Sequence, residues 1–227
     1  VIVQLAMRNL RRHLRRTVLT ALVMVLGGGL LIFAFSLGDG THENWIDSGV
    51  RTSTGHVTVQ QPEFQTSRKI EHRLPADIRK RAETVLTSGE LTDQVVAVSS
   101  RLSLSALASS AAGARPAQIL AVDPVAESAF STLDDQVVEG RYLEPDDRLA
   151  AYIGVGLAES LELNLGARMV VQAQDADGEI SGQLLRVVGI FRNGVPEVDQ
   201  GIVHIPLGIA GEWLGSGEDV TNVGVVL

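Results

Sequence analysis

The stretch Thr17-Val-Leu-Thr-Ala-Leu-Val-Met-Val-Leu-Gly-Gly-Gly-Leu-Leu-Ile-Phe-Ala-Phe-Ser-Leu-Gly38 carries no charged side chain. As a helix, its 22 residues extend about 33 Å at ~1.5 Å per residue. That length matches a hydrocarbon core about 30 Å thick crossed with a modest tilt. Residues 17–38 therefore read as a transmembrane helix. Gly27, Gly28 and Gly29 weaken a helix in water but are tolerated in lipid, where they offer a smooth surface for close helix packing. A plain flexible spot is the other reading of these glycines, and at this level both stand.

The flanks of the span supply its orientation. Before it lie five basic residues, Arg8, Arg11, Arg12, Arg15 and Arg16, and no acid. Beyond it, 14 Lys and Arg face all 27 Asp and Glu. Dense arginine on one flank predicts that residues 1–16 stay in the cytoplasm and residues 39–227 lie outside. Within 1–16, Ile2, Leu5, Ala6, Leu10 and Leu14 recur at helical spacing opposite the arginines. This is the pattern of a short amphipathic helix on the inner membrane surface. The acidic remainder presents no basic binding face, which argues against nucleic acid as a partner.

A secretory signal peptide is the competing reading. Its apolar run is usually only about 7–15 residues and ends at a small-x-small cleavage site. Here the run is longer, and Ala34-Phe35-Ser36 fits that site poorly. No cysteine occurs, so the chain has no disulfide, thiolate metal site or catalytic cysteine.

Beyond the span the pattern is mixed α+β. A polar stretch over 39–54 continues the helix outward until Gly55 breaks it. His56-Val-Thr-Val-Gln60 alternates as a strand, and 61–74 reads as irregular. A helix follows over 77–88. Strands over 95–104 and 117–122 are expected to pair as a hairpin around a small-residue hinge at 108–113. A short helix at 125–133, a turn-rich connection at 140–145, a buried strand at 151–153 and a helix at 155–163 come next. Strands at 169–173 and 184–190 flank the hairpin turn Asp175-Ala-Asp-Gly178. A strand at 202–205, a helix opened by Pro206 and a strand-like run at 220–227 complete the chain. Two lobes are expected outside the membrane, the inner one near 90–145.

Little in the sequence points to catalysis. The five histidines, His13, His42, His56, His72 and His204, show no H-x-x-x-H spacing. Asp175-x-Asp177-Gly178 lacks the rest of a twelve-residue calcium loop. Gly154-Val-Gly156 lacks the third glycine of a dinucleotide fingerprint, Gly215-Ser216-Gly217 is no nucleophile elbow, and no Walker A sequence is present. No metal or cofactor is called for, and the chain reads as no enzyme on its own.

Several segments nevertheless form a familiar order. Ala6-Met-Arg-Asn-Leu-Arg-Arg-His-Leu-Arg-Arg-Thr17 leads into the span, and Thr54-Gly-His-Val-Thr-Val59 opens the exterior part. Glu139-Gly-Arg-Tyr-Leu143, Ile153-Gly-Val-Gly-Leu-Ala-Glu-Ser-Leu161, Leu165-Gly166, Val187-Val-Gly-Ile-Phe191 and Asp199 follow. Together they resemble the N-terminal half of the FtsX-like, or MacB-type, ABC transporter permeases. The resemblance implies four spans, with three following the exterior domain and the second expected just after Leu227. It also implies a dimer, with a second permease copy or a related chain, and a separate cytoplasmic ABC ATPase subunit. Hydrolysis there would move the exterior domains without passing cargo through a central pore, and a periplasmic protein partner is a further expectation. Gly140-Arg-Tyr-Leu143 and Asn193-Gly-x-Pro-x-x-Asp199 look most like the lipoprotein-release branch. By their chemistry alone, the segments 139–143 and 154–161 read as core packing and turn geometry. A membrane-anchored regulator of a cell-wall enzyme would share the same layout.

Overall fold

A computed structural model describes residues 14–52, 54–88 and 94–227, those from 37 to 52 by their backbone only. Arg8, Arg11, Arg12 and all but the last three residues of the amphipathic helix expected over 1–16 lie outside the described residues. The first element is helix α1 (Leu14–Thr52), 39 residues long. Its Leu14–Ser36 portion is long and apolar enough to cross a membrane, and none of it is buried. Apolar side chains such as Val23, Met24, Val25, Leu30 and Ile32 are each more than 60% exposed. A helix that is apolar all round and covered by no protein calls for lipid as its solvent. Beyond Ser36 the polar continuation remains helical to Thr52, and Gly55, three positions on, is left-handed at φ +79°.

Residues Gly49–Leu227 form a separate compact unit. In chain order it contains β1 (Val57–Gln60), α2 (Pro62–Ser67), α3 (Ala76–Thr87), β2 (Ala97–Ser110), β3 (Gly113–Val122), α4 (Pro124–Phe130) and β4 (Val137–Gly140). Then follow β5 (Ala150–Gly154), α5 (Val155–Ser160), β6 (Arg168–Gln174), β7 (Ile180–Phe191), α6 (Pro196–Gly201), β8 (Ile202–Pro206), α7 (Leu207–Trp213) and β9 (Asn222–Val226).

Strand β2 is the spine. One edge pairs with β3 from Arg101↔Val122 to Ser110↔Gly113. The other pairs first with β9 (Ala97↔Val226 to Arg101↔Asn222) and then with β6 (Ala106↔Ala173 to Ser109↔Val170). From β3 the ladder runs through parallel β8, then β5, then β7, and returns to β2 through β6. Six strands thus close into a ring that leaves no open edge along that path. Its interior is filled by Leu102, Leu104, Ile119, Ile153, Met169, Val171, Leu185 and Val203, with Leu157 and Leu161 of the α5 region in the same cluster. Alternation makes this possible: in β6, Met169, Val171 and Ala173 are buried while Arg168, Gln172 and Gln174 are exposed.

A second core lies on the outer face around β3, β5 and the end of β7, with Leu120, Val122, Leu133, Leu143, Tyr152 and Phe191. The α+β class and nearly every expected strand are present. Three short elements are unexpected, one in a stretch read as irregular and two in stretches given no element. Helix α2 is anchored by Pro62 in its first turn and by buried Phe64. The other two are β4, paired to the end of β7, and α6, around Asp199. The hinge expected at 108–113 is strand almost to its tip. The lobe expected near 90–145 shares its sheet with the flanking segments, since β2 and β3 pair with β6, β8 and β9. Such pairings join residues up to about 130 positions apart, and no local pattern announces them.

Candidate functional sites: a glycine-notched seat and an uncovered sheet face

Thr54 and Gly55 lie within the compact unit just before β1, where the first and last strands of the sheet are neighbours. β1 lies antiparallel to β9 from Val57↔Val225 to Gln60↔Asn222. Just before it, His56 N–H donates to Val225 O at 2.8 Å, and Leu227 N–H donates to His56 Nδ1 at 3.2 Å. A Cβ on Gly55 would fall 2.5 Å from Val225 O and 2.7 Å from Phe130 Cζ; one on Gly224 would fall 2.8 Å from the same ring atom and 2.9 Å from Thr54 O. The fully buried Phe130 ring therefore fits a notch that only two glycines leave open.

Beneath the ring lies a buried charge pair. Arg101 Cζ stands 4.2 Å from the Phe130 centroid, a cation–π contact in a desolvated setting. Its guanidinium grips Glu127 twice, Nη2 to Oε1 at 2.5 Å and Nε to Oε2 at 2.9 Å, and Ser99 Oγ donates to Oε2 at 2.6 Å. Both side chains are 1% exposed. Local sequence explains the placement: Asp123 caps α4 by accepting from Val125 and Ala126 N–H, and Pro124 sets its first turn. Glu127 and Phe130, three residues apart, then lie on one face of α4.

Nearby, Tyr142, Tyr152, Phe191 and His204 form an aromatic cluster. The Tyr142 hydroxyl lies 3.2 Å from His204 Nδ1, and Tyr152 donates to Leu133 O at 2.6 Å. Among the described residues His204 Nε2 has no partner. Burial, helped by the positive Arg101 and opposed by Glu127, pushes the imidazole down to about 4, so it is neutral at physiological pH. Burial and then the negative charges of Glu127 and Asp134 push the Tyr142 hydroxyl far up, and burial pushes Tyr152 up as well.

The motif residues singled out in the sequence serve this packing. Gly140 adopts φ +78° against Val188 O and Leu165. Arg141 clamps Asp147 through both terminal nitrogens at 2.7 and 2.8 Å, and that hydrogen bonding holds the Asp147 carboxyl below its usual range. Gly154 and Gly156 admit the Asp199 backbone, while the Asp199 carboxylate accepts from Asn193 and Gly194 N–H. Asp175 Oδ1 accepts from Asp177 and Glu179 N–H, the bonding of a hairpin turn. No group of three or more His, Asp or Glu among the described residues is placed to hold a metal.

A second feature lies on the outer face of the ring, away from α4. Register sets Pro116, Leu107, Gln172 and Gly182 side by side, then Ala114, Ser109, Val170 and Leu184. Leu107 and Leu184 are 40% and 47% exposed. At the end of this uncharged face Arg168 stands directly opposite Arg186, a like-charge pair that sheet geometry disfavours. Neither forms an ion pair with a carboxylate among the described residues.

Of the residues chosen from sequence, Arg15 and Arg16 lie exposed at the start of α1, and a Cβ on Gly27, Gly28 or Gly29 would meet nothing within 4 Å. Sequence reasoning missed Arg101, Glu127, Phe130, Arg168 and Arg186. The one available signal was Arg101, a lone charge inside an alternating strand.

A model of the MacB-like periplasmic core domain matches residues 17–227. Among solved structures, the extracellular domain of the noncanonic ABC-type transporter YknZ from Gram-positive bacteria superposes with a TM-score of 0.51 at 17% identity, over 74% of this chain and 80% of that one. The periplasmic region of MacB from Actinobacillus actinomycetemcomitans gives 0.51 at 14% identity, over 75% and 73%. These likenesses concern the fold. A comparison with curated proteins returns no significant match. The family match runs from the apolar helix through the last strand of the ring-bearing unit, so this chain belongs to the MacB-like periplasmic core domain family.

Proposed function

We propose that this chain is the membrane subunit of an ABC transporter, converting ATP hydrolysis by a separate cytoplasmic subunit into movement of its exterior domain. The observation that carries this reading is a bare apolar helix continuing without a break to Thr52 and leading, through Gly55, into a tightly packed domain of a transporter family. Packed elements move as units, so such an arrangement suits transmission of a tilt. In this reading residues 1–16 stay cytoplasmic, 17–38 span the inner membrane and 39–227 lie outside. Arg8, Arg11, Arg12, Arg15 and Arg16 hold that orientation. Gly27, Gly28 and Gly29 give another span, from a second permease copy or a related chain, a close approach.

The cargo favoured by the segments 140–143 and 193–199 is a lipoprotein released from the membrane. The uncovered face ending in Arg168 and Arg186 suits an exterior protein partner that brings carboxylates beside apolar side chains. The second reading, a membrane-anchored regulator of a cell-wall enzyme, uses the same face.

The 227 residues contain no cysteine, so Ile180→Cys, at a position 81% exposed, adds a single reporter to this segment. A membrane-impermeant thiol reagent applied to spheroplasts should label it; labelling only after lysis would overturn the orientation. Deletion of the gene separates the functions. Retained lipoproteins or drug sensitivity support transport, whereas wall or division defects with normal efflux support regulation.

A further inference from the structure

The seat around Phe130 is built as a wedge. On one side of the ring is backbone: Gly55, Gly224 and Thr54, with no room for even one added carbon. Behind it is the Arg101 guanidinium, held by two bonds to Glu127 and unable to yield without exposing a buried charge. Thr221 ties the start of β9 to the same residue, its N–H and its hydroxyl both donating to Arg101 O at 2.9 and 3.0 Å. Ala97, Phe130 and Val226 form their own small buried cluster. Thr54 is exposed and Gly55 half-buried, so it is a displacement of Thr54–Gly55 toward the ring that finds no soft neighbour to absorb it. It must carry the ring, and the ring carries α4 and β2.

We propose that Phe130 is the positioning residue that couples the chain segment arriving from α1 to the sheet, with the Arg101–Glu127 pair as its rigid backing. This rests on the transport reading and names the device by which that reading would work. The wedge acts by shape: a smaller side chain leaves the fold in place but lets the segment at 54–55 shift without moving β2. Phe191, also fully buried but in the second core, provides a matched perturbation away from the seat.

The test uses the full-length protein with its ATPase partner in lipid nanodiscs, comparing wild type, Phe130→Leu and Phe191→Leu. Hydrogen exchange of the segments 54–60, 97–101 and 222–227 is followed with and without ATP, beside hydrolysis rate and unfolding midpoint. In wild type, ATP should change exchange of these segments at least threefold. Phe130→Leu should keep hydrolysis within twofold of wild type yet abolish most of that change, and Phe191→Leu should retain it at a similar loss of stability. Phe130→Met, which replaces the rigid ring by a flexible chain and leaves more volume in place, should reproduce the Phe130→Leu result and serves if that variant folds poorly. If wild type responds and the seat variants respond equally, the wedge is refuted while the transport reading stands. If wild type shows no response to ATP, the transport reading fails and the coupling role falls with it.

Discussion

The two halves of β2 share one strand and live in different surroundings. From Ala97 to Leu104 nearly every side chain is buried, whichever way it points. One face meets α4, through Ser99 and Arg101. The other meets α3, where Ser100 Oγ donates to Glu83 Oε1 at 2.5 Å, and the core at Leu102. Past that point, Ser105 is exposed and Leu107 is 40% exposed, because nothing among the described residues covers the outer face of the ring there. The first half backs the Phe130 ring through Arg101. The second presents a surface. Covered sheet tolerates no change without cost, while an open face is free to be tuned for a partner.

That contrast is breakable by mutation. The largest effect is expected at Glu127. Glu127→Ala leaves Arg101 buried without its carboxylate and should cost about 3–5 kcal/mol of stability. The double variant Arg101→Met with Glu127→Leu should recover most of it, as measured by denaturant unfolding. Equal destabilisation in both variants would show that the charge pair itself, not its completeness, holds the seat.

Next comes pH. His204 is held near 4 in the fold against an unfolded value of about 6.5. The unfolded chain therefore binds the extra proton between those values, and stability falls as pH drops through that window. The loss from pH 7 to pH 4 should be on the order of 3 kcal/mol. Asp147, whose carboxyl is held below its usual range, loses its contribution only at lower pH. His204→Phe should flatten the slope between pH 7 and 4; an unchanged slope would assign it to other groups.

A smaller cost, about 1–3 kcal/mol, is expected for Gly140→Ala, which places a side chain at φ +78° against backbone. The smallest belongs to the open face. Arg168→Ala and Arg186→Ala should leave stability within about 0.5 kcal/mol, or raise it by relieving repulsion, while weakening capture of an acidic exterior partner in pull-down. A large drop in melting temperature would mean that this face is structural after all.

Much of the architecture is legible in sequence because it is local. The charge-free run over 17–38, alternation in 56–60 and 169–173, and Pro206 before α7 each carry their own period or cap. Gly140-Arg-Tyr-Leu143 was visible as a motif, but its use was not, since Asp147, Val188 and His204 complete it from elsewhere in the chain. Phe130 and Gly224 are far apart in sequence, and only the β1–β9 pairing brings Gly55 to meet them both. Arg168 and Arg186 likewise become a pair only through the register of β6 on β7. Closure of the sheet depends on similar long-range contacts, so it too is invisible to a periodicity argument.

The transporter role is tested most directly by purifying the full-length protein in mild detergent, identifying what accompanies it by mass spectrometry and assaying ATP hydrolysis. A stoichiometric P-loop ATPase and measurable turnover are expected. A folded sample with neither would contradict it and leave a membrane-anchored binding domain.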